Sequence, residues 1–365
     1  MRAAWAEINL HALNHNLTVV RKHAGNAKVL AILKANAYGH GLSRVATQLD
    51  GVDAIGVARL DEALALRKAG IAKPIVLLEG FFSAAELPIL AASGIQPVIH
   101  AHYQLEQLEH AQGLAQPLNV WLKVDTGMHR LGVAPSDAVS VFRRLQACAN
   151  VQGTPILMSH FACADTPEHR QNEMQRATFK SIHDVVKAPI SFSNSAALLA
   201  DVAAHDDWVR PGLALYGVSP FAGCEGTTLD LQAVMSLQTS VIAIRELAVG
   251  EGVGYGAAWR ASGPTRVGIL AIGYGDGYPR TAPHGTPVFI NGRRYPIVGR
   301  VSMDMLSVEL GLDSDVQVGD TGQLWGPDLP VELIAKHVGT VPYELLCNVA
   351  HRVALEYSHQ ATQSR

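Results

Sequence analysis

The sequence has 365 residues and contains little cysteine, little charge and few aromatic residues. Its four cysteines are widely spaced and form no CxxC pair, which excludes a disulfide scaffold and a zinc site built from cysteines. We interpret them as buried thiols in a reducing compartment. The formal net charge of −3 speaks against nucleic-acid binding, which needs a basic surface. By contrast, 48% of the residues are hydrophobic, enough for a large buried core.

Long hydrophobic runs are also missing. No segment approaches the roughly 20 apolar residues that are needed to cross a bilayer, so we expect no membrane association. Glu7 lies where a signal peptide would need an apolar stretch, which predicts a cytoplasmic protein. At about 150 residues per domain, the length predicts two domains.

Residues 28 to 212 alternate short β-branched runs with longer segments of helical period. The predicted strands are Val29–Leu33, Ala54–Val57, Ile75–Leu78, Gln96–Ile99, Leu118–Val124, Pro155–Ser159, Ile190–Ser193 and Trp208–Arg210. The predicted helices include Leu60–Ala69, Ser83–Ala92, His102–Gln112, Ser136–Ala147 and Glu168–Val186. This alternation predicts a parallel sheet with right-handed crossovers. Its eight units in about 200 residues favour a closed (β/α)8 barrel over the alternative, an open doubly wound sheet.

After about residue 230 the pattern changes to strands joined by short turns. We predict strands at Leu237–Ile244, Thr265–Ile272, Pro287–Ile290, Tyr295–Val298 and Leu306–Leu310, followed by helices at Val331–Lys336 and near Tyr343–Val349. Asn291-Gly292 is a strong signal for a hairpin turn. The sequence therefore predicts a barrel domain over residues 1–228 and a mostly antiparallel β domain over residues 229–365, with the boundary in Cys224–Asp230.

The carboxyl ends of the barrel strands are where reactive groups are expected. Lys34 follows the first predicted strand, and burying its ammonium without a partner would be costly. A neutral lysine amine is instead a nucleophile toward carbonyl groups, either of a substrate or of pyridoxal phosphate. The alternative is a structural ion pair between Lys34 and Asp125 or another carboxylate.

The loops after the seventh and eighth strands offer a phosphate anchor. Asn194-Ser195 supplies a hydroxyl, and Pro211-Gly212-Leu213 supplies backbone N–H groups with room for close approach. Ser193-Asn194-Ser195 is equally typical of a helix cap. Arg210 in the same region favours a phosphate or carboxylate partner, and His160 by itself is typical of a core histidine.

Tyr255 lies in a glycine-rich stretch, Gly252–Ala257, that matches the loose G-x-G-x-x-A pattern of dinucleotide sites. Gly263-Pro264 leaves no room for the long helix that such a site needs, so we reject that reading. A bulky side chain on a flexible turn indicates either presentation to a ligand or an ordinary turn tyrosine.

The motifs together carry a family resemblance. Ala31–Gly41, which reads AILKANAYGHG, resembles the cofactor-lysine motif of alanine racemases, the pyridoxal-phosphate enzymes that interconvert L- and D-alanine. Similar blocks follow in family order over nearly the whole chain: Trp5–Leu10, Lys123–Gly132, Ser193–Ala196, Arg210–Gly217, Gly254–Gly256, Gly273–Gly277 and Gly299–Met305. A racemase must reach both faces of the substrate carbon, so the family uses two acid/base groups. The resemblance implies that these are Lys34, which would also hold the cofactor, and Tyr255 from the partner subunit of a homodimer.

The resemblance implies further roles at the positions that match. The cofactor-binding residues would be Lys34, Tyr38, His160, Asn194, Ser195, Arg210, Gly212, Leu213 and Tyr343. Within this set Arg210 would face the pyridine nitrogen and His160 would link Tyr255 to Arg210. Arg130 and the backbone of the partner subunit's Met303 would bind the substrate carboxylate, beside a Lys123 that is carbamylated in some relatives. Leu213 stands where the family usually has isoleucine.

Four other readings stay open at this point. Two are a related pyridoxal-phosphate amino-acid decarboxylase and a racemase of another small amino acid. Decarboxylases of this kind carry an acid where this chain has Arg210. A non-catalytic pyridoxal-phosphate carrier would be a single barrel, without the second domain. A Schiff-base aldolase would use Lys34 without any cofactor.

Overall fold

The computed structural model describes residues 2–202 and 206–359. Strand β1 (Trp5–Asn9) leads directly into helix α1 (Leu10–Ala24). The Asn9 side chain accepts a hydrogen bond from the Ala12 N–H and so caps this helix. Gly25, with φ of 58°, ends it in a conformation that favours glycine.

A ring of parallel strands forms the first unit. The strands are β2 (Lys28–Ile32), β3 (Ala54–Val57), β4 (Ile75–Leu77), β5 (Ile95–Ile99), β6 (Trp121–Lys123), β7 (Ile156–Met158), β8 (Ile190–Ser191) and β9 (Trp208–Val209). Each pairs in parallel with the next as far as β8, and β9 pairs with β2. A bridge between Asn194 and Arg210 joins the last two strands. The predicted (β/α)8 barrel is confirmed, and the open-sheet alternative is wrong.

Helices follow the strands around the barrel. They are α2 (Leu42–Gln48), α3 (Leu60–Lys68), α4 (Leu87–Ser93), α5 (His102–His110), α6 (Pro135–Ala147), α7 (Arg170–Val186) and α8 (Ser195–Leu199). Helix α3 shows why the sequence forms them: Ala63 and Leu66 are fully buried against the barrel. Its Glu62 carboxylate accepts a hydrogen bond from the Arg59 N–H and closes the first turn.

The second unit is a mostly antiparallel sheet. Its strands are β1, β10 (Met235–Leu247), β13 (Thr265–Leu270), β14 (Pro287–Ile290), β15 (Arg293–Val298), β16 (Leu306–Glu309), β17 (Thr321–Trp325) and β18 (Ala354–Ser358), beside a hairpin of β11 (Gly252–Val253) and β12 (Trp259–Arg260). Helices α9 (Val331–Val338) and α10 (Pro342–Cys347) follow β17. The predicted hairpin is confirmed, because Asn291 (φ 48°) and Gly292 (φ 79°) turn β14 into β15.

Some elements were not predicted. The N-terminal strand β1 lies on the barrel side of the predicted boundary at residue 228, yet it pairs antiparallel with β10 and parallel with β18. The sheet therefore takes strands from both ends of the chain. Strands β11, β12, β17 and β18 were also missed; β11 and β12 have only two residues each, and β17 carries glycine.

The state of the cysteines and the lack of a membrane-spanning segment were also predicted. The cysteines are all free, as predicted, but Cys148, Cys163 and Cys224 are only half-buried and Cys347 is exposed, so the expectation of buried thiols is wrong. Among the described residues, no helix combines the length and the apolar character needed to span a membrane.

Candidate active site

A cavity of about 520 Å³ lies at the carboxyl ends of the barrel strands. Every site residue predicted on the barrel lines it, together with the predicted tyrosine of α10: Lys34, Tyr38, Lys123, Arg130, His160, Asn194, Ser195, Arg210, Gly212, Leu213 and Tyr343. The structure thus brings residues from the ends of five barrel strands and from one later helix to a single place.

Lys34 begins an unusual turn at the end of β2. The four residues Ala35 to Tyr38 all have φ between 52° and 55°, a left-handed conformation that costs about 1–2 kcal/mol for each residue with a side chain. The Asn36 side chain accepts a hydrogen bond from the Leu42 N–H at 2.9 Å and helps to hold the turn. This turn places Lys34 and Tyr38 on the same cavity.

Two neighbours of this turn fix it against the rest of the molecule. The buried His40 ring lies with Nδ1 at 2.8 Å from the Tyr38 carbonyl oxygen, to which it donates. Burial lowers the pKa of His40 to about 4, so the ring is neutral and Nδ1 carries its proton. A Cβ at Gly39 would overlap the carbonyl oxygen of Leu346, so only glycine lets the turn pack against α10.

The alternative role for Lys34, an ion pair with Asp125, is wrong. Within the described part of the chain no carboxylate pairs with Lys34. The Asp125 carboxylate instead accepts hydrogen bonds from the N–H groups of Gly127 and His129, both at 3.0 Å. The half-buried Lys34 amine is therefore left facing the cavity without a carboxylate partner.

Hydroxyl groups and backbone N–H groups also meet in the lining of this cavity. Ser195 Oγ accepts hydrogen bonds from Gly212 N at 2.9 Å and from Ala214 N at 3.3 Å. A Cβ at Gly212 would lie 2.6 Å from the Tyr38 hydroxyl, and the Tyr38 and Tyr343 rings are 5.7 Å apart. Burial raises the pKa of Tyr38, so its hydroxyl stays protonated and can donate. This arrangement suits a phosphate group.

Asn194 has a different local role from Ser195. Its side chain accepts a hydrogen bond from Ala197 N at 2.9 Å and caps α8, as the cap interpretation of this motif predicted. Both residues line the cavity. The two readings of Ser193-Asn194-Ser195 therefore apply to neighbouring residues of the same segment.

Arg210 is held firmly in the lining of the cavity. It is 4% exposed, and it donates to the Ser191 hydroxyl at 2.7 Å, the Ser159 carbonyl at 2.6 Å and His160 Nδ1 at 3.1 Å. Burial lowers the pKa of Arg210 to about 10, which still leaves it charged at neutral pH. The expectation of a carboxylate or phosphate partner is not met inside the chain, where the described acceptors of its hydrogen bonds are neutral.

The protonation state of His160 follows from this contact. Burial, together with the charge of Arg210, lowers the pKa of His160 well below its ordinary value. Because Nδ1 accepts from the guanidinium, the single ring proton lies on Nε2. His160 can therefore donate one hydrogen bond from Nε2 toward a group that enters the site.

Positive charge dominates the middle of the cavity. Lys123 is buried, and its pKa falls to about 8 because of burial and the nearby charges of Arg210, Arg130 and Lys34. Asp125 opposes this shift but does not cancel it. The cavity is suited to ligands that carry carboxylate or phosphate groups.

Tyr255 and Met303 do not join this group. They lie on turns of the second sheet, outside the cavity lining, and they are 72% and 54% exposed. Gly254 and Gly256 flank the tyrosine with φ of 68° and 70°. One chain by itself therefore assembles only part of the predicted site.

Sequence reasoning missed Cys347 and Glu79, which also line the cavity. Cys347 lies four residues after Tyr343 on α10, so the two residues share a helix face. That spacing could have identified it. Glu79 follows the third barrel strand, β4, at a position equivalent to that of Lys34 after β2.

Known proteins match the chain along nearly its full length. The family model described as "Alanine racemase, N-terminal domain" matches residues 8–220, and "Alanine racemase, C-terminal domain" matches residues 234–357. The alanine racemases of Vibrio atlanticus (strain LGP32) and Vibrio cholerae serotype O1 are 52% and 51% identical to it over 357 residues. In both cases 98% of this chain and 99% of the relative are covered.

Solved structures agree with these matches. The biosynthetic alanine racemase from Pseudomonas aeruginosa superposes with a TM-score of 0.95 at 45% identity, over 98% of this chain and 100% of that one. An alanine racemase from Bartonella henselae with covalently bound pyridoxal phosphate has a TM-score of 0.90 at 31% identity, over the same shares of the two chains. The chain therefore belongs to the alanine racemase family.

Proposed function

We propose that this protein interconverts L-alanine and D-alanine in the cytoplasm, using pyridoxal phosphate and two acid/base groups on opposite faces of the substrate. The proposal rests on one observation. A single cavity is lined by Lys34, whose amine pairs with no carboxylate among the described residues, and by a set of hydroxyl and backbone groups. Membership of the alanine racemase family supports the same reaction. The homodimer is part of the proposal because Tyr255 lies outside its own chain's cavity.

The residues present fit pyridoxal phosphate. Lys34 would hold its aldehyde carbon, and Tyr38, Ser195, Gly212, Leu213 and Tyr343 would hold its phosphate. The lack of a Cβ at Gly212 leaves the space that a close-packed phosphate oxygen needs beside the Tyr38 hydroxyl. When bound, the cofactor supplies a conjugated ring that delocalises the charge left by a departing α-proton.

The chain's own groups then move that proton. Lys34 lies on the barrel side of the site and takes or returns the proton on one face. The partner subunit's Tyr255 would do so on the other face, which is how the centre inverts. His160, neutral and with its proton on Nε2, would donate to the phenolic oxygen, and Arg210 behind it favours the ionised phenol.

Binding of the substrate carboxylate falls to the cations of the cavity. Arg130 would bind it together with the backbone N–H of the partner subunit's Met303. Carbamylation of Lys123, whose pKa of about 8 leaves a substantial neutral fraction near physiological pH, would turn a buried cation into an anion beside Arg130. Arg130 would then be oriented by attraction to the carbamate of Lys123, where the unmodified ammonium would repel it.

The decisive experiment is incubation of the purified protein with L-alanine and pyridoxal phosphate, followed by chiral analysis. We expect D-alanine to accumulate until the two enantiomers are equal. Release of CO₂ without D-alanine would indicate the related decarboxylase, and racemisation of serine in preference to alanine would indicate another substrate.

A second measurement addresses the shared site. A heterodimer of a Lys34→Ala chain and a Tyr255→Phe chain contains one site with both groups intact and one with neither. We expect it to recover about half of the wild-type activity, whereas each variant homodimer is inactive or nearly so. No recovery would mean that each chain uses its own tyrosine.

A further inference from the structure

We propose that Arg352 is a positioning residue that holds the Met303 loop, defined here as residues 302–305, in the shape that binds the substrate carboxylate in the partner subunit's site. The inference rests on the proposed function, because it deepens the role given there to the Met303 backbone. Arg352 itself lines no cavity of its own chain that carries a predicted site residue.

The guanidinium of Arg352 bridges two carboxylates and touches the loop directly. Nε donates to Asp276 Oδ1 at 2.8 Å, and Nη2 donates to Asp304 Oδ1 at 2.7 Å. Nη2 also lies 3.5 Å from the Met303 carbonyl oxygen. Hydrogen bonds to both carboxylates raise the pKa of Arg352, so the bridge is charged at every physiological pH.

Asp276 is the fixed side of this bridge. It is 6% exposed, and its second carboxylate oxygen accepts from Gly273 N at 2.9 Å. Its carbonyl oxygen accepts from Ala350 N at 3.0 Å, which ties the turn to the segment that carries Arg352. Asp304 is the movable side, since it is exposed and belongs to the Met303 loop.

The Met303 loop packs closely against the Asp276 turn. Gly275 N donates to the Met303 carbonyl at 2.8 Å, and a Cβ at Gly273 would overlap the carbonyl oxygens of Ser302 and Met303. Among the described residues, no hydrogen bond uses the Met303 N–H. The loop is therefore held through its carbonyl groups, while the N–H of the exposed residue Met303 remains able to bind an anion.

Removing the guanidinium would reverse the electrostatics at this point. Asp276 and Asp304 would face each other without the cation between them, and the exposed Asp304 would be repelled. The loop would lose the contact that sets the Met303 peptide, and a misplaced donor weakens substrate binding. The effect should fall on KM more than on kcat, because Lys34 and Tyr255 remain in place.

The position of Arg352 in the chain supplies a strict test. It follows Cys347, which lines its own chain's cavity, by five residues. A merely structural role would therefore disturb the site of its own chain. A positioning role through Met303 would disturb the partner's site only.

Two heterodimers separate these outcomes, with L-alanine as the substrate. Each has one active site with an intact Lys34, called the live site here. In the first, a wild-type chain is paired with a Lys34→Ala/Arg352→Gln chain, so the live site receives the altered Met303 loop. In the second, an Arg352→Gln chain is paired with a Lys34→Ala chain, so the live site receives a normal loop. We expect KM to rise roughly tenfold in the first and to stay within about twofold of the control in the second. The control pairs a wild-type chain with a Lys34→Ala chain.

Further variants protect the test against a folding defect. Asp304→Asn in place of Arg352→Gln changes only an exposed side chain and should show the same asymmetry more weakly. Arg352→Lys keeps the positive charge but loses the planar guanidinium that can bridge two carboxylates, so it should recover part of the affinity. Arg2→Gln is the matched control, since Arg2 also pairs with an exposed carboxylate, Glu356, and should leave KM unchanged.

These experiments test the role of Arg352 separately from the proposed function. Equal KM values in the two heterodimers, or a rise in the second alone, would overturn the role of Arg352 while the wild-type protein still racemises alanine. An inactive wild-type protein would instead overturn the proposed function.

Discussion

The two halves of the proposed site are built in opposite ways. In the barrel, Arg210 is 4% exposed and donates hydrogen bonds to four groups of its own chain. On the second sheet, Tyr255 is 72% exposed on a turn between glycines. The barrel half is thus organised within one chain, whereas the tyrosine half needs a second surface to define its environment. Variants in the two halves should therefore fail in different ways.

The largest effect should come from Lys34→Ala, which removes the nucleophile and one of the two bases together. We expect racemisation to fall by roughly 10⁴-fold or more, with the absorbance of lysine-bound cofactor lost as well. Lys28→Ala is the matched control, because Lys28 lies at the other end of the same strand and is exposed. An active Lys34→Ala protein would remove the barrel half from the mechanism.

Tyr255→Phe should slow removal of the α-proton from one enantiomer of alanine much more than from the other. It removes the base on one face only, so exchange of the α-proton with solvent deuterium should fall about 10²–10³-fold from L-alanine and far less from D-alanine. Tyr103→Phe, also an exposed tyrosine but on α5, should change neither rate. Equal losses from both enantiomers would contradict the assignment of Tyr255 to the L side.

Arg210→Glu tests what the buried guanidinium contributes. A guanidinium only donates hydrogen bonds, so it cannot accept one from a protonated pyridine nitrogen. A carboxylate can, and it would keep that nitrogen protonated and draw more charge into the ring. We expect racemisation to fall about 10²-fold and transamination to rise relative to it, measured as pyruvate formed per D-alanine. Arg210→Gln is the neutral control. An unchanged ratio in Arg210→Glu would contradict this account.

The pH dependence of Lys123 gives a smaller effect with a definite sign. A carbamate forms from the neutral amine only, and with a pKa of about 8 the neutral fraction rises roughly tenfold between pH 7 and pH 9. The carbamate signal in carbon-13 NMR with labelled bicarbonate should therefore grow over this range and be absent in Lys123→Met. A signal of equal size in that variant would place the carbamate elsewhere.

The barrel half was the more predictable from sequence. Parallel strands must end at one edge, so placing Lys34, His160 and Arg210 after predicted strands was enough to bring them together. The hydrogen bond from Arg210 to His160 Nδ1 was not predictable in the same way, because it depends on side-chain directions across two loops.

The second sheet was harder because its pairing is not local. Strand β1 reads as a short alternating segment, but nothing near it in sequence shows that its partners are β10 and β18, more than 200 residues away. The left-handed turn at Lys34 was missed for another reason. Ala35 and Ala37 are ordinary helix formers, and tertiary contacts through Asn36 and His40 overrule that preference.

Tyr343 belongs to both halves, and its variant should give the smallest effect. It comes from α10, outside the barrel, yet it lines the barrel cavity and is 40% exposed. If its ring crowds the entrance, Tyr343→Ala should raise the kcat/KM ratio of serine to alanine about threefold, a modest gain because the ring is open to solvent on one side. Tyr343→Phe keeps the ring and loses only the hydroxyl, so it should weaken cofactor binding without changing the ratio. A ratio that changes in Tyr343→Phe, or stays constant in Tyr343→Ala, would mean that selectivity for alanine is set elsewhere, and Tyr255→Ala then becomes the variant that decides whether the partner's tyrosine sets it.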